Sequence, residues 1–218
     1  LVGFAGDNQS IETVVVAPYA GRPAWSLPFE FWLQLFVGGA GALVGGWIWA
    51  LKRDRPSVIL AISGFGLMAS ALSASVYSTR ELALDAELFR LLNAGNFVGT
   101  NIFGLALISL LLSYPKRIGG SLVILAVWTI GLGAVVAQLM QLMPSQSIGS
   151  YGPMLAQFCI ILALVAIQFI ASRRAPLARA ALGWFGLSIL LGTSVFVFTI
   201  AVPAMLGVEP QTRQAHAF

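Results

Sequence analysis

The sequence predicts an all-α fold, a polytopic membrane bundle of about six transmembrane helices led by a short extracytoplasmic β/coil segment. Three observations predict it. The 218-residue chain is 58% hydrophobic and only 9% charged, with a mean hydropathy of +0.89, whereas a soluble domain carries about 25% charged residues. The apolar residues fall into runs near or above the roughly 20 residues that a helix needs to cross the hydrocarbon core. The charges lie between those runs, and their balance alternates from one gap to the next.

Residues 1–28 differ from the rest. The stretch Ile11-Glu12-Thr13-Val14-Val15-Val16 is β-branched and reads as a strand. Pro18, Gly21, Pro23 and Pro28 then interrupt the chain repeatedly. This segment reads as the end of a small external domain plus a linker. The apolar runs follow at about residues 30–51, 57–78, 91–113, 120–143, 152–172 and 180–207, within a membrane domain spanning 29–207. Barrel strands would alternate with period two over about ten residues, which these runs do not. Between the second and third runs, TRELALDAELFR is a strong helix former, so the third helix is expected to begin early or to follow a short surface helix. Pro203 is expected to kink the sixth. Residues 208–218 are a polar tail, or a linker to a further helix.

Charge sets the expected orientation. The gaps at 52–56, 114–119 and 173–179 hold Lys52, Arg53, Arg55, Lys116, Arg117, Arg173, Arg174 and Arg179 against Asp54. The opposite side holds Asp7, Glu12, Glu30, Glu81, Asp85, Glu87 and Glu209 against Arg22, Arg80, Arg90 and Arg213. By the positive-inside rule the first set is cytoplasmic, and the N-terminus and residue 218 are extracytoplasmic. A chain with both ends outside implies something upstream to carry the N-terminal segment across. It also implies a further helix after Phe218 if a cytoplasmic domain exists. The expected location is a bacterial inner membrane, with the lipid bilayer as the first partner. The net charge of +4 belongs to these loops, and no basic stretch interleaved with aromatics points to nucleic acid.

No catalytic, cofactor or metal-binding constellation is visible. GxxxxGK[ST], HExxH, GxSxG and CxxC are all missing. His216 stands alone in the tail, and Cys159, in an apolar run, reads as a small hydrophobe. No ionisable residue lies in the centre of any run, whereas pumps, ion-coupled carriers and voltage sensors place such groups in the membrane. What remains is neutral. Asn93, Asn96 and Thr100 share a face of the third helix with Asn101 nearby, and Gly95, Gly99 and Gly104 permit close approach there. Gln138 and Gln157, with Ser63, Ser70, Ser73, Ser75 and Tyr77 of the second helix, extend a polar group toward the outer half. This set is a candidate polar pocket; interhelical hydrogen bonding is its commoner use. Gly38, Gly41, Ala42, Gly45 and Gly46 give the first helix small-residue faces for packing inside the bundle or against a second copy. Trp32, Trp47 and Trp49 read as interfacial anchors.

Two stretches, SVYSTRELALDAELFRLLNAGNFVGTNIFGLALISLLLSYPKRI (75–118) and VVVAPYAGRPAWSLPFEFWLQLFVGGAGALVGGWIWAL (14–51), together resemble the membrane sensor region of bacterial sensor histidine kinases of the ComP-like type. The matching features are Tyr114-Pro115-Lys116-Arg117 closing the third helix and the external strand before the first. The resemblance implies an N-terminal helix, a small external domain, several membrane helices and then a cytoplasmic kinase. The kinase's phosphoacceptor His and glycine boxes have no counterpart here, so none of its catalytic residues carries over. It implies a signal-input domain that is not itself an enzyme; the sequence does not identify its stimulus, whether small molecule or peptide. The alternatives are an accessory or structural subunit of a membrane complex and a channel or transporter for a neutral solute.

Overall fold

The computed structural model describes residues 2–5, 11–14, 25, 27–79, 82, 84–196, 198 and 202–205. Two short strands, β1 (Val2–Ala5) and β2 (Ile11–Val14), pair antiparallel with Val2 opposite Val14 and Ala5 opposite Ile11. The helices are α1 (Phe29–Leu51), α2 (Arg55–Ser78), α3 (Ala86–Ser113), α4 (Ser121–Leu139), α5 (Gln146–Ala171), α6 (Pro176–Phe196) and a short α7 (Val202–Met205). Among the described residues α1 to α5 are long and apolar enough to cross a membrane, while α6 is apolar over the shorter stretch Pro176–Gly192. The chain is a multi-pass helical membrane protein.

Local chemistry explains most boundaries. Asp54 caps α2, its carboxylate accepting from the Ser57 N–H at 3.0 Å, with Pro56 in the first turn, where a missing N–H costs nothing. Asp85 caps α3 by accepting from Glu87 N and Leu88 N at 3.0 and 2.8 Å. This cap is why the third helix starts at Ala86, ahead of its apolar run. Ser145 accepts from Ile148 N at 3.2 Å and opens α5 at Gln146, six residues before the expected start at 152.

Other boundaries correct the expectation. The fourth helix stops at Leu139 rather than 143. Gln141 adopts a left-handed φ of 57°, Leu142 N donates to Ala137 O at 2.8 Å and Gln141 N to Gln138 O at 2.9 Å. That is the Schellman pattern, built on a glutamine where glycine is usual. Arg55 and Arg179 lie in the first turns of α2 and α6, not in loops. Of the sixth run, Pro176–Phe196 form α6 and Pro203 lies in α7; residues 197, 199–201 and 206–207 lie outside the described residues. The polar tail, His216, and the charges at Asp7, Arg22, Arg80, Glu81, Glu209 and Arg213 lie outside the described residues.

α3 is the hub. α2, α4 and α5 pack on it; α1 packs on α2, and α6 on α5. The buried apolar cluster joins Leu107, Ile108, Leu111 and Leu112 of α3 to Ile161, Leu164 and Val165 of α5 and Leu182 of α6. Much of the rest faces outward, including Phe36, Leu43, Leu122 and Ile130, each more than 70% exposed. Such a surface suits lipid, where apolar exposure carries no penalty. Arg53, Arg55 and Arg117 border one cavity, and Tyr114 borders another with Pro176 and Leu177, so the three basic gaps meet at one end of the bundle.

Candidate functional site: interhelical polar ties

Helices in lipid gain little from burying apolar surface against one another, so they hold by close backbone packing and by polar contacts. The first mechanism joins α1, α2 and α3. A Cβ added at Gly38 would stand 2.6 Å from the Ala71 Cβ, and one at Gly45 would stand 2.9 Å from Leu60 O. One at Gly64 would collide with the backbone of Gly41 and meet the Ala42 Cα at 3.1 Å. On the far side of α2, a Cβ at Gly66 would lie 2.8 Å from Phe103 N, and one at Gly99 would lie 2.6 Å from Ser70 N. Gly38, Gly41, Ala42 and Gly45 therefore lie at the α1–α2 contact. Gly46 does not: it meets nothing within 4 Å and faces away from α2, as does Gly39.

The second mechanism uses the neutral polar residues. Ser70 donates to Asn96 Oδ1 at 2.6 Å and lies 2.7 Å from the Thr100 hydroxyl, while Asn96 Nδ2 donates to the Tyr77 hydroxyl at 2.9 Å. This network ties α2 to α3. Asn101 points the other way. Its Oδ1 accepts from Gln157 Nε2 at 2.8 Å in a buried contact between α3 and α5, and its Nδ2 donates to Phe97 O at 2.8 Å. Gly104 makes room, because a Cβ there would run into the Gln157 amide. Gln138 Nε2 donates to Ser150 Oγ at 3.2 Å, joining α4 to α5. Asn93 is exposed and takes part in none of these links. The expected polar set is thus divided among separate helix pairs and does not converge on one pocket.

Two ties escape the sequence reading. Trp128 Nε1 donates to the buried Ser109 hydroxyl at 2.9 Å, joining α4 to α3. Gln168 is fully buried on α5, and its Nε2 donates to Leu111 O at 2.5 Å and Lys116 O at 2.6 Å, while its Oε1 accepts from Lys116 N at 3.3 Å. The amide therefore clasps the turn that follows α3. The available signal was an isolated glutamine inside an apolar run, AIQFIA, where an unpaired amide would cost several kcal/mol.

At the basic end, Asp54 is fully engaged. Its Oδ1 accepts from Ser57 N and from Ser57 Oγ at 2.5 Å, and its Oδ2 pairs with Lys52 Nζ at 2.9 Å. The Ser57 hydrogen bonds, then Lys52, hold its carboxyl down at about 2, and Asp54 in turn raises the Lys52 ammonium. Among the described residues no cluster of His, Cys, Asp and Glu is placed to hold a metal ion. No protein family, curated protein or solved structure matches the chain.

Proposed function

We propose that this chain is the membrane-embedded signal-input region of a two-component sensor kinase, in the bacterial inner membrane with its basic end cytoplasmic. The observation that carries the reading is the double tie between α5 and α3. Gln157 holds Asn101 at mid-depth and Gln168 holds the α3–α4 turn at the basic end. Eleven residues along one helix separate the two by about 16 Å. A shift of α5 against α3 near the outer side, of the 1–2 Å size common in helix switches, is delivered by the same rigid helix to Lys116 and Arg117. A stimulus drives such a shift only by binding one arrangement better than the other.

The accessory-subunit reading is favoured by one feature, the broad outward apolar faces of α1 and α4, which suit a protein neighbour as well as lipid. A neutral-solute pore gains no comparable support, since Asn96, Asn101, Gln157 and Gln168 are taken up in pairwise links.

The complete reading frame tests the proposal first. A frame continuing past Phe218 through a further helix into a kinase supports signal input; a stop at Phe218 among genes for a membrane complex overturns it in favour of the subunit. In the complete protein in membrane vesicles, Gln168→Leu should alter autophosphorylation at least severalfold. An unchanged rate in a folded variant removes the double tie as the transmitting element.

A further inference from the structure

We infer that the basic end of the bundle carries a binding site for an anionic phospholipid, between the start of α2 and the start of α4. The site is a cavity of about 560 Å³ bordered by Arg53, Arg55 and Arg117, and by Val58, Ile59 and Ile124. α3 lies between α2 and α4 and closes the back of this space with Ser113. The inference is independent of the signal-input reading and of which membrane face the basic end occupies.

Three features point to the phosphate of a lipid. The first is unspent positive charge. Asp54 is the carboxylate at the cavity, and both its oxygens are taken, by Ser57 and by Lys52, which is not among the lining residues. Arg53 and Arg55 make no ion pair among the described residues, and Arg117 makes only a long contact from Nε to Gly119 O at 3.4 Å. Guanidinium groups match phosphate oxygens in a planar fork. The second is the opening of α4. Gly120 precedes it without a side-chain cap, and Val123 N and Ile124 N donate to Gly120 O, so the Ser121 and Leu122 N–H groups add donors and a positive dipole end beside Arg117. The third is the continuation of the lining from charged to aliphatic. Val58 and Ile59 on α2 and Ile124 on α4 lead from the arginines into the membrane-spanning part of the helices. A free phosphate uses the arginines but has no use for this wall, whereas a phospholipid lays its acyl chain along it. Basic clefts between transmembrane helices are a recurrent setting for anionic headgroups.

The test is lipid retention by native mass spectrometry on the purified chain, with phosphatidylglycerol against phosphatidylcholine of the same acyl length. Phosphatidylglycerol should be retained at least about tenfold better, each arginine near a headgroup being worth about fivefold. The triple change Arg53→Gln, Arg55→Gln, Arg117→Gln should abolish that preference, while Arg173→Gln with Arg174→Gln should leave it. Ile124→Trp keeps every charge but fills the cavity, so it should also lower retention and serves if the triple variant does not fold. Equal retention of both lipids overturns the inference. So does equal loss in the Arg173/Arg174 variant, which would mean diffuse surface attraction. Displacement of the lipid by millimolar inorganic phosphate, with Ile124→Trp silent, would also overturn it by making the site one for a soluble anion.

Discussion

The two halves of the bundle are held by different means. In α1–α3 the backbones approach closely over Gly38, Gly41, Gly45, Gly64, Gly66 and Gly99, and the Ser70–Asn96–Tyr77 network adds hydrogen bonds to contacts already made. Around α4, α5 and α6 glycines are fewer at the contacts, and single side chains bridge the gaps: Asn101–Gln157, Trp128–Ser109 and Gln168 with the α3–α4 turn. Interlocked backbones admit little relative motion, because any slide produces a clash. There the bridges work together with the apolar cluster of Leu107, Ile108, Leu111 and Leu112 against Ile161, Leu164, Val165 and Leu182. The first half is therefore fixed backbone to backbone and the second by side chains.

The sharpest way to break this comparison is Gly64→Leu. Its side chain has nowhere to go but the Gly41 backbone, and overpacking of this kind costs about 3 kcal/mol or separates α1 from α2 outright. A large fall in the SDS fraction needed to unfold the protein is expected; an unchanged midpoint would mean α1 is not locked. Next comes Gln168→Leu, which removes three hydrogen bonds and leaves the buried Leu111 carbonyl unpaired, for about 2 kcal/mol. It should also make the Lys116–Arg117 turn markedly more sensitive to trypsin, whereas an unaltered cleavage rate would show that the clasp does not order the turn. Asn96→Leu falls in the locked half and should cost only about 0.6–1.7 kcal/mol in the same SDS titration, since the glycine packing remains. Neighbouring glycines sharpen the contrast further: Gly45→Ala should destabilise by about 1–3 kcal/mol and Gly46→Ala by less than about 0.5.

The smallest effect is electrostatic. The Asp54 carboxyl is held at about 2 against an ordinary 3.8, so its cap on α2 is fully present above the ordinary value. It is lost only as the pH falls through the lower one. A carbon-13 titration of Asp54 should show its midpoint near 2, and a midpoint near 3.8 would remove the Ser57 and Lys52 contacts from the picture.

Much of this fold was legible in the sequence. The first two apolar runs match α1 and α2 to within two residues, because Pro28 and the Asp54 cap mark the entries. The charge pattern groups the three basic gaps at one end, as the cavities there confirm. The end of α4 was not legible, since hydropathy runs on through Leu142 and Met143 and a left-handed glutamine carries no warning in its residue type. For the candidate site, residue identities were legible and partners were not. Asn96 and Asn101 sit five residues apart, which turns them to different faces of α3, one toward α2 and one toward α5. Their order in the sequence suggests a single cluster; the helix divides them. Gln168 lay beyond the reading because its partners are backbone groups 52 residues or more away.

That separation has a consequence for how the protein is made. A chain enters the membrane from its N-terminus, so the α3–α4 turn is synthesised and placed long before Gln168 exists. Until α5 is inserted, the carbonyls of Leu111 and Lys116 must be satisfied by water or headgroups at the membrane surface. The turn is completed by a later part of its own chain, and the last step of building this end is the arrival of one glutamine.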